Sequence, residues 1–575
     1  RTRFAIPRKK LAADFLLSLI FAVSFTAIFH LSLPQKEILL ETHRIAIQVR
    51  DVYLSETATG IRFLSMNNGY RGIAFADFRI AGSWERRADQ LILLENNPET
   101  EIVFQGKTGQ TVDLFFLAGE EAGAVEINWG DGAVETVDLS RTAEEPYSLM
   151  VRHHYGSSAA FMERLNFFFN LLSVVIPLTC LIFFYLLVLQ KLLSRRSRQF
   201  ATLFTVLSLC TVFIRVVNVY NFPLGWDEGT YSRAALRYSE KALNFKWQEI
   251  PSIVYNHEHP AFVKLMFAIP ATLDGREAFA RFGWNRLNNA GLGKEDYTIF
   301  TARLVSAIFS LWLVQTAAYL IHPLTGFFLM IHSLAAEYGA QARLEAIPML
   351  FSFLSIWFFS KFLADWQAQQ RWKANRRLIL SAIFLGLTAA SKVIYCVIVF
   401  AMLFMALESL IRDNSRWKQW LLTMITFGII SLASFYVFNP SLWYQPAERL
   451  KMMLSFHDHY QETVGNIYPF WQPIVWVTRS VAHQPGHFAE KSLLAKAPEH
   501  FFFSCDELIF LLACLGAAPL FRKQRIYIVW FIIGMIFLFL WGTKWEQYAC
   551  VVVVPICIAA THGTLRLARR LATGS

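Results

Sequence analysis

The chain has 575 residues, of which 55% are hydrophobic, 15% aromatic and only 17% charged; soluble proteins carry about 25% charged residues, so an ordinary soluble enzyme is excluded. The net charge of +11 does not point to nucleic acid. Lys and Arg fall in short clusters between long apolar runs, the pattern of cytoplasmic loops, with no basic stripe interleaved with aromatics. None of the seven cysteines lies between residues 34 and 160, so that region has no disulfide framework, and no CxxC or His-rich spacing suggests structural zinc.

In chain order, Arg1, Arg3, Arg8, Lys9 and Lys10 precede an apolar run near 11–31. No small-residue cleavage pattern follows it, so 1–33 reads as an N-terminal transmembrane helix rather than a signal peptide. Residues 34–160 read as a β-rich domain. Val112, Leu114 and Phe116 alternate, as do Val125, Ile127 and Trp129, and Gly130, Asp131 and Gly132 supply turn chemistry before Val134–Val137. The expectation is a β-sandwich-like domain of about 120 residues. Trp129 reads first as core; a carbohydrate platform is the alternative.

Residues 161–199 hold a second transmembrane helix (164–190) and a basic loop with Lys191, Arg195, Arg196 and Arg198. In 200–575, spans are expected near 200–220, 301–321, 344–363, 393–411, 419–437, 503–521, 526–542 and 546–564, at roughly 17–25 residues each, with weaker candidates near 323–336 and 378–391 that read as tilted, broken or short helices. Further basic clusters occur at Arg371, Lys373, Arg376 and Arg377; at Arg412, Arg416 and Lys418; at Arg522, Lys523 and Arg525; and at Arg566, Arg569 and Arg570. With all six clusters cytoplasmic, twelve spans thread with both termini inside. The same threading puts 34–160, 221–300 and 438–502 outside. The fold expected is a mainly α polytopic membrane protein with an extracytoplasmic β-domain inserted near its N-terminus.

The outer stretch 221–300 opens on Asn221–Tyr231, with Asp227 and Glu228 directly after a span. Carboxylates at the membrane surface are costly to desolvate and mark a functional-site hypothesis, against a bland reading as solvated loop acids. Downstream lie Tyr255, Asn256, His257, Glu258, His259, Pro260, Ala261 and Lys264.

These residues resemble the polytopic GT-C glycosyltransferases, in the branch of the protein O-mannosyltransferases and lipid A aminoarabinose transferases. Further pieces fit in order: Thr301–Ala307, Gln341–Glu345, Leu387–Lys392, Met453–His457 with Tyr468–Pro473, and Lys544–Tyr548. The resemblance covers roughly residues 200–560. Ala261 stands where the family has a second proline, Glu345 where aspartate is usual, and two spans with a β-domain precede the family's core.

The resemblance implies transfer of a sugar from a polyprenyl-phosphate-linked donor to an acceptor hydroxyl on a glycan, lipid or protein, and it assigns the general base to Asp227. Glu228, adjacent in sequence, diverges from it and is expected to orient substrate rather than face it across one bond. The leaving lipid phosphate needs cations. Arg343 at an outer helix end suits bidentate grip, with Lys392, Arg303 and Lys264 as helpers; the bland reading of each is a snorkelling charge. Tyr231, His257, His259, Glu345, His457 and Tyr548 are expected to contact substrate. His457, Asp458 and His459 admit a divalent cation only if the local backbone is extended; no metal site is assigned. Arg215, inside a span, is expected to pair with an acid near the outer surface. Trp471 and Phe501–Phe503 read as interfacial anchors.

The expectation is therefore an inverting membrane glycosyltransferase in a bacterial inner membrane, among membrane lipids, with its reactive face outside. The absence of a permitted Asn-x-Ser/Thr sequon fits that setting. The alternatives are a flippase for lipid-linked saccharides, which calls for an internal repeat that is not seen, and a receptor or scaffold.

Overall fold

The structure is a computed structural model, and it describes residues 8–29, 39–51, 61–69, 72–73, 75–87, 90–95, 100–119, 122–140, 147–194, 196–222, 224–225, 227–274, 297–412, 414–464, 468–479 and 505–573. It divides into two compact units, Arg1–Ser194 and Arg195–Ser575.

In the first unit, helix Arg8–Phe29 packs along helix Ser157–Leu193. Between them lie strands β1 (Glu41–Asp51), β2 (Arg62–Asn67), β3 (Gly72–Ile73), β4 (Phe78–Ala81), β5 (Ser83–Arg87), β6 (Gln90–Glu95), β7 (Glu101–Thr108), β8 (Thr111–Ala118), β9 (Ala124–Asn128), β10 (Val134–Asp138) and β11 (Tyr147–His154). They form two antiparallel sheets, ordered β10-β9-β1-β7-β4 and β11-β8-β2-β6-β5, with β3 pairing on β2. The period of two puts Val112, Leu114 and Phe116 of β8 inside with Val125 and Ile127 of β9, against Ile45, Ile47, Phe63 and Phe104. Outward-facing Arg50 and Glu126 pair across the other face.

The β9–β10 hairpin turns on Gly130 (φ +82°) and Gly132 (φ +94°). Asn128 Oδ1 accepts from the Gly130 amide at 3.0 Å and Asp131 Oδ1 from that of Ala133 at 3.0 Å. Trp129 is fully buried and stacks on His153 at 4.7 Å between centroids, while its carbonyl accepts from the Tyr155 hydroxyl at 2.9 Å. It is core, and the carbohydrate-platform alternative for Trp129 is overturned.

The second unit is helical. Its elements are Arg198–Asn221, Glu228–Leu243, Phe262–Asp274, Tyr297–Leu320, Pro323–Ile331, Ser333–Tyr338, Ala346–Gln367, Arg371–Ser391, Ile398–Arg412, Trp417–Phe438, Pro446–Val464, Gln472–Arg479, Asp506–Gln524, Ile526–Leu540 and Cys550–Thr573. Helices Asp506–Gln524 and Cys550–Thr573 meet at Gly516 and Gly563, where a Cβ would run into the carbonyls of Ala559 and Leu512; small residues let the backbones touch.

Among the described residues, seven helices are long and apolar enough to cross a membrane: Ser157–Leu189, Arg198–Val219, Thr298–Leu320, Ala346–Gln367, Val393–Arg412, Trp417–Phe438 and Glu546–Thr573. The chain is an integral membrane protein. Of the twelve expected spans, those near 11–31, 323–336, 378–391, 503–521 and 526–542 are not among these seven. The stretch 323–336 is two short helices broken at His332, and 378–391 belongs to helix Arg371–Ser391, whose first two turns carry Arg371, Lys373, Arg376 and Arg377. Arg215 is also corrected, because it pairs with no acid among the described residues. Its guanidinium donates to Ser310 Oγ (2.9 Å) and to the carbonyls of Met330 (3.1 Å) and Leu329 (3.2 Å), the C-terminal end of helix Pro323–Ile331.

Candidate active site

The site is built where helix Glu228–Leu243 starts. The chain turns at Gly225, whose carbonyl accepts from the Glu228 amide at 3.1 Å. Glu228 then folds back and is fully buried. One oxygen accepts from the Arg303 Nε (2.7 Å) and the Ala342 amide (2.6 Å), the other from Arg303 Nη2 (2.6 Å) and the Gly225 amide (2.7 Å). Arg303 Nη1 donates to the carbonyls of Val219 and Phe222, each at 2.9 Å. This corrects two expectations. Both Glu228 oxygens and all three Arg303 nitrogens are engaged inside the fold, which argues against the substrate-orienting role expected of Glu228 and the phosphate grip expected of Arg303. The pair fastens the 219–228 turn to helix Tyr297–Leu320 and to the 340s loop.

That loop carries the groups that remain available. It leaves helix Ser333–Tyr338 through turns in which Gly339, Ala340 and Arg343 amides donate to Ala335, Glu337 and Gln341 carbonyls. Arg343 lies over the Tyr338 ring (5.3 Å to the centroid), and its Nη1 donates to Gln547 Oε1 at 2.9 Å. Its Nε is buried with no hydrogen bond among the described residues. Gly225 makes the space for it, since a Cβ there would lie 2.7 Å from Arg343 Nη2. Burial opposes the Arg343 charge, yet Tyr338, Glu345, Asp227 and Glu337 around it together hold its pKa above the ordinary arginine value.

Glu345 is buried and accepts from Lys392 Nζ through one oxygen, while its other oxygen finds no partner among the described residues. The Lys392 ammonium also lies 5.2 Å from the Tyr548 ring centroid. Asp227 precedes helix Glu228–Leu243, is only partly buried and makes no side-chain cap bond. One turn on, Tyr231 is buried against His259, at 5.7 Å between rings. Burial, then the charges of Asp227 and Glu345, raise the Tyr231 phenol well above its ordinary range, opposed by Arg343. Tyr231 therefore stays a hydrogen-bond donor. Asp227, Tyr231, Arg343, Glu345, Lys392 and Tyr548 share one neighbourhood.

Lys264 is the third correction. It is buried, and its Nζ donates to the carbonyls of Asn256 (2.6 Å) and His259 (2.8 Å). Burial lowers its pKa to about 7, against the attraction of Glu258. It locks the 256–259 loop, and two of its donors are spent there rather than on a phosphate. The same loop is tied at Ala261, whose amide donates to Asn439 Oδ1 at 2.9 Å; a proline there would lack that N–H. His257 lies beside Phe456 at 6.0 Å between rings. His457, Asp458 and His459 fall in helix Pro446–Val464, so the extended backbone that a two-histidine metal site would need is absent; their side chains lie outside the described residues. So do Trp226 and Phe501–Phe503. Among the described residues no three His, Cys, Asp or Glu side chains converge on a metal position. Gln547, Tyr338 and the Ala342 amide went unread in the sequence. Gln547 stood inside a quoted stretch, but a neutral amide carries no charge signal.

Fold and site together define a polytopic membrane protein with an N-terminal sheet domain and, in its helical unit, carboxylates and a guanidinium gathered at helix ends. Among solved structures, the chain is similar to ArnT from Cupriavidus metallidurans bound to undecaprenyl phosphate, with a TM-score of 0.41 at 16% identity over 65% of this chain and 61% of that one. It is also similar to the same protein in the apo state, with a TM-score of 0.38 at 15% identity over the same shares. The chain thus spans 61% of the length of the structures it matches. No family model matches, and neither does any curated protein.

Proposed function

We propose that this protein is a membrane glycosyltransferase that moves a sugar from a polyprenyl phosphate to an acceptor hydroxyl in a single inverting displacement. The observation that carries the reading is one neighbourhood holding a carboxylate with no cap bond, Asp227, and a guanidinium with an unengaged buried Nε, Arg343. As the acceptor oxygen bonds to the anomeric carbon, the bond from that carbon to the phosphate oxygen breaks. Asp227 takes the hydroxyl proton, and the negative charge left on the lipid phosphate falls to Arg343, with Lys392 as a second cation held in place by Glu345. Tyr231 and Tyr548 supply hydroxyls at the same place. His259, whose ring meets Tyr231 edge-on, His257 and His457 contact the substrate in this reading. The reactive face is outside a bacterial inner membrane, and the acceptor is a glycan, lipid or protein hydroxyl.

The test supplies purified protein in vesicles with labelled polyprenyl-phosphate sugars and an envelope extract. Label appearing in an acceptor, with release of polyprenyl phosphate, is the expected result. Label that only crosses the bilayer on its lipid would replace the transferase reading with a flippase.

A further inference from the structure

The helix pair Pro323–Ile331 and Ser333–Tyr338 is broken at His332, and both sides of the break are held by charges from other helices. On one side Arg215 donates to the carbonyls of Leu329 and Met330. A cation there meets the negative end of a helix. On the other side Asp506, at the start of helix Asp506–Gln524, accepts from the Ser333 amide at 3.0 Å and from the Ser333 hydroxyl. An anion there meets the positive end of the next helix and satisfies an orphan N–H. Asp506, Arg215, His332 and Ser333 are all buried, and His332 Nδ1 lies 3.6 Å from Asp506.

Neither Arg215 nor Asp506 has a part in the chemistry proposed above, yet both lead to it. The six-residue helix that Asp506 starts ends at Tyr338, whose ring lies under the Arg343 guanidinium. Ser310, which accepts from Arg215 Nε, abuts Gly339, where a Cβ would collide with its Oγ. From Gly339 the loop runs through Arg343 to Glu345. We infer that Asp506 and Arg215 are positioning residues that clamp the broken helix pair from both sides of its break and thereby fix Arg343 and Glu345 toward the substrate. For its binding readout this rests on the proposed role of Arg343 in holding lipid phosphate.

The experiment uses the full chain in nanodiscs with Asp506→Ala, Asp506→Asn, Arg343→Gln and the double variant Asp506→Ala/Arg343→Gln. Hydrogen exchange of the 333–345 amides needs no ligand. Asp506→Ala speeds it at least tenfold there, with helices Ala346–Gln367 and Arg371–Ser391 unchanged, and Asp506→Asn, which keeps one acceptor oxygen, falls between. Affinity for a polyprenyl phosphate drops roughly tenfold to a hundredfold in Asp506→Ala, as expected when a binding group shifts by about an ångström, and the loss disappears in the Arg343→Gln background. Unchanged exchange at 333–345, exchange that rises throughout the helices, or losses that multiply in the double variant would each overturn the inference. Wild type that fails to bind polyprenyl phosphate, with the local exchange signature present, would sink the phosphate role of Arg343 and leave the clamp standing.

Discussion

Asp227 and Glu228 sit side by side in the chain but in different surroundings. Glu228 is enclosed by Arg303 and two backbone amides, whereas Asp227 is partly open. Breaking a buried ion pair from one side costs about 3–5 kcal/mol. Glu228→Gln is accordingly expected to lower the thermal unfolding midpoint in detergent, with activity lost because the 219–228 turn comes loose. Asp227→Asn is expected to leave that midpoint in place; a large drop would show that Asp227 is structural too. At Gly225 the space belongs to Arg343. Gly225→Ala places a methyl 2.7 Å from Nη2, and the expected outcome is a roughly tenfold to hundredfold higher donor KM in a folded protein. An unchanged KM would mean that the Arg343 position is not set there.

At the scale of elements, the 256–259 loop hangs on Lys264, whose folded pKa of about 7 lies below its unfolded value. The unfolded chain then binds more protons between about pH 7 and 10, so this group's contribution to stability rises with pH across that window. Unfolding midpoints measured from pH 7 to 9 are expected to climb more steeply in wild type than in Lys264→Met; parallel slopes would contradict the buried placement. The sandwich was legible because its strands alternate strictly, as in β8 with Val112, Leu114 and Phe116, and because Gly130 and Gly132 mark the hairpin. A broken or short helix was expected over 323–336, but the position of the break at His332 was not legible, since nothing local announces it: the contacts on its two sides come from Arg215 and Asp506, over a hundred residues away on either side. The same physics hid the roles of Arg303 and Lys264. Sequence places a cation at a helix end, but only the fold shows whether its donors are already engaged.

At the scale of the molecule, the six basic clusters, with the helices that link them, make a specific topology prediction. Single cysteines placed near Arg196, Lys373 and Arg416 should resist a membrane-impermeant thiol reagent applied from outside, whereas positions in the sandwich, such as Asp131, should react. Reversal of that pattern would overturn the orientation. The broken pair 323–338 and the charged start of helix Arg371–Ser391 are the parts of the twelve-span threading that composition describes least well. In both, helix ends are held by charges and turns rather than by length of apolar run.

The most direct measurement compares steady-state sugar transfer by wild type, Asp227→Asn and Arg343→Gln, with folding checked by thermal midpoint. The account predicts that Asp227→Asn lowers kcat about 10²–10⁴-fold with little change in donor KM, while Arg343→Gln lowers kcat/KM mainly through the lipid donor. Full transfer activity in a folded Asp227→Asn protein would contradict it.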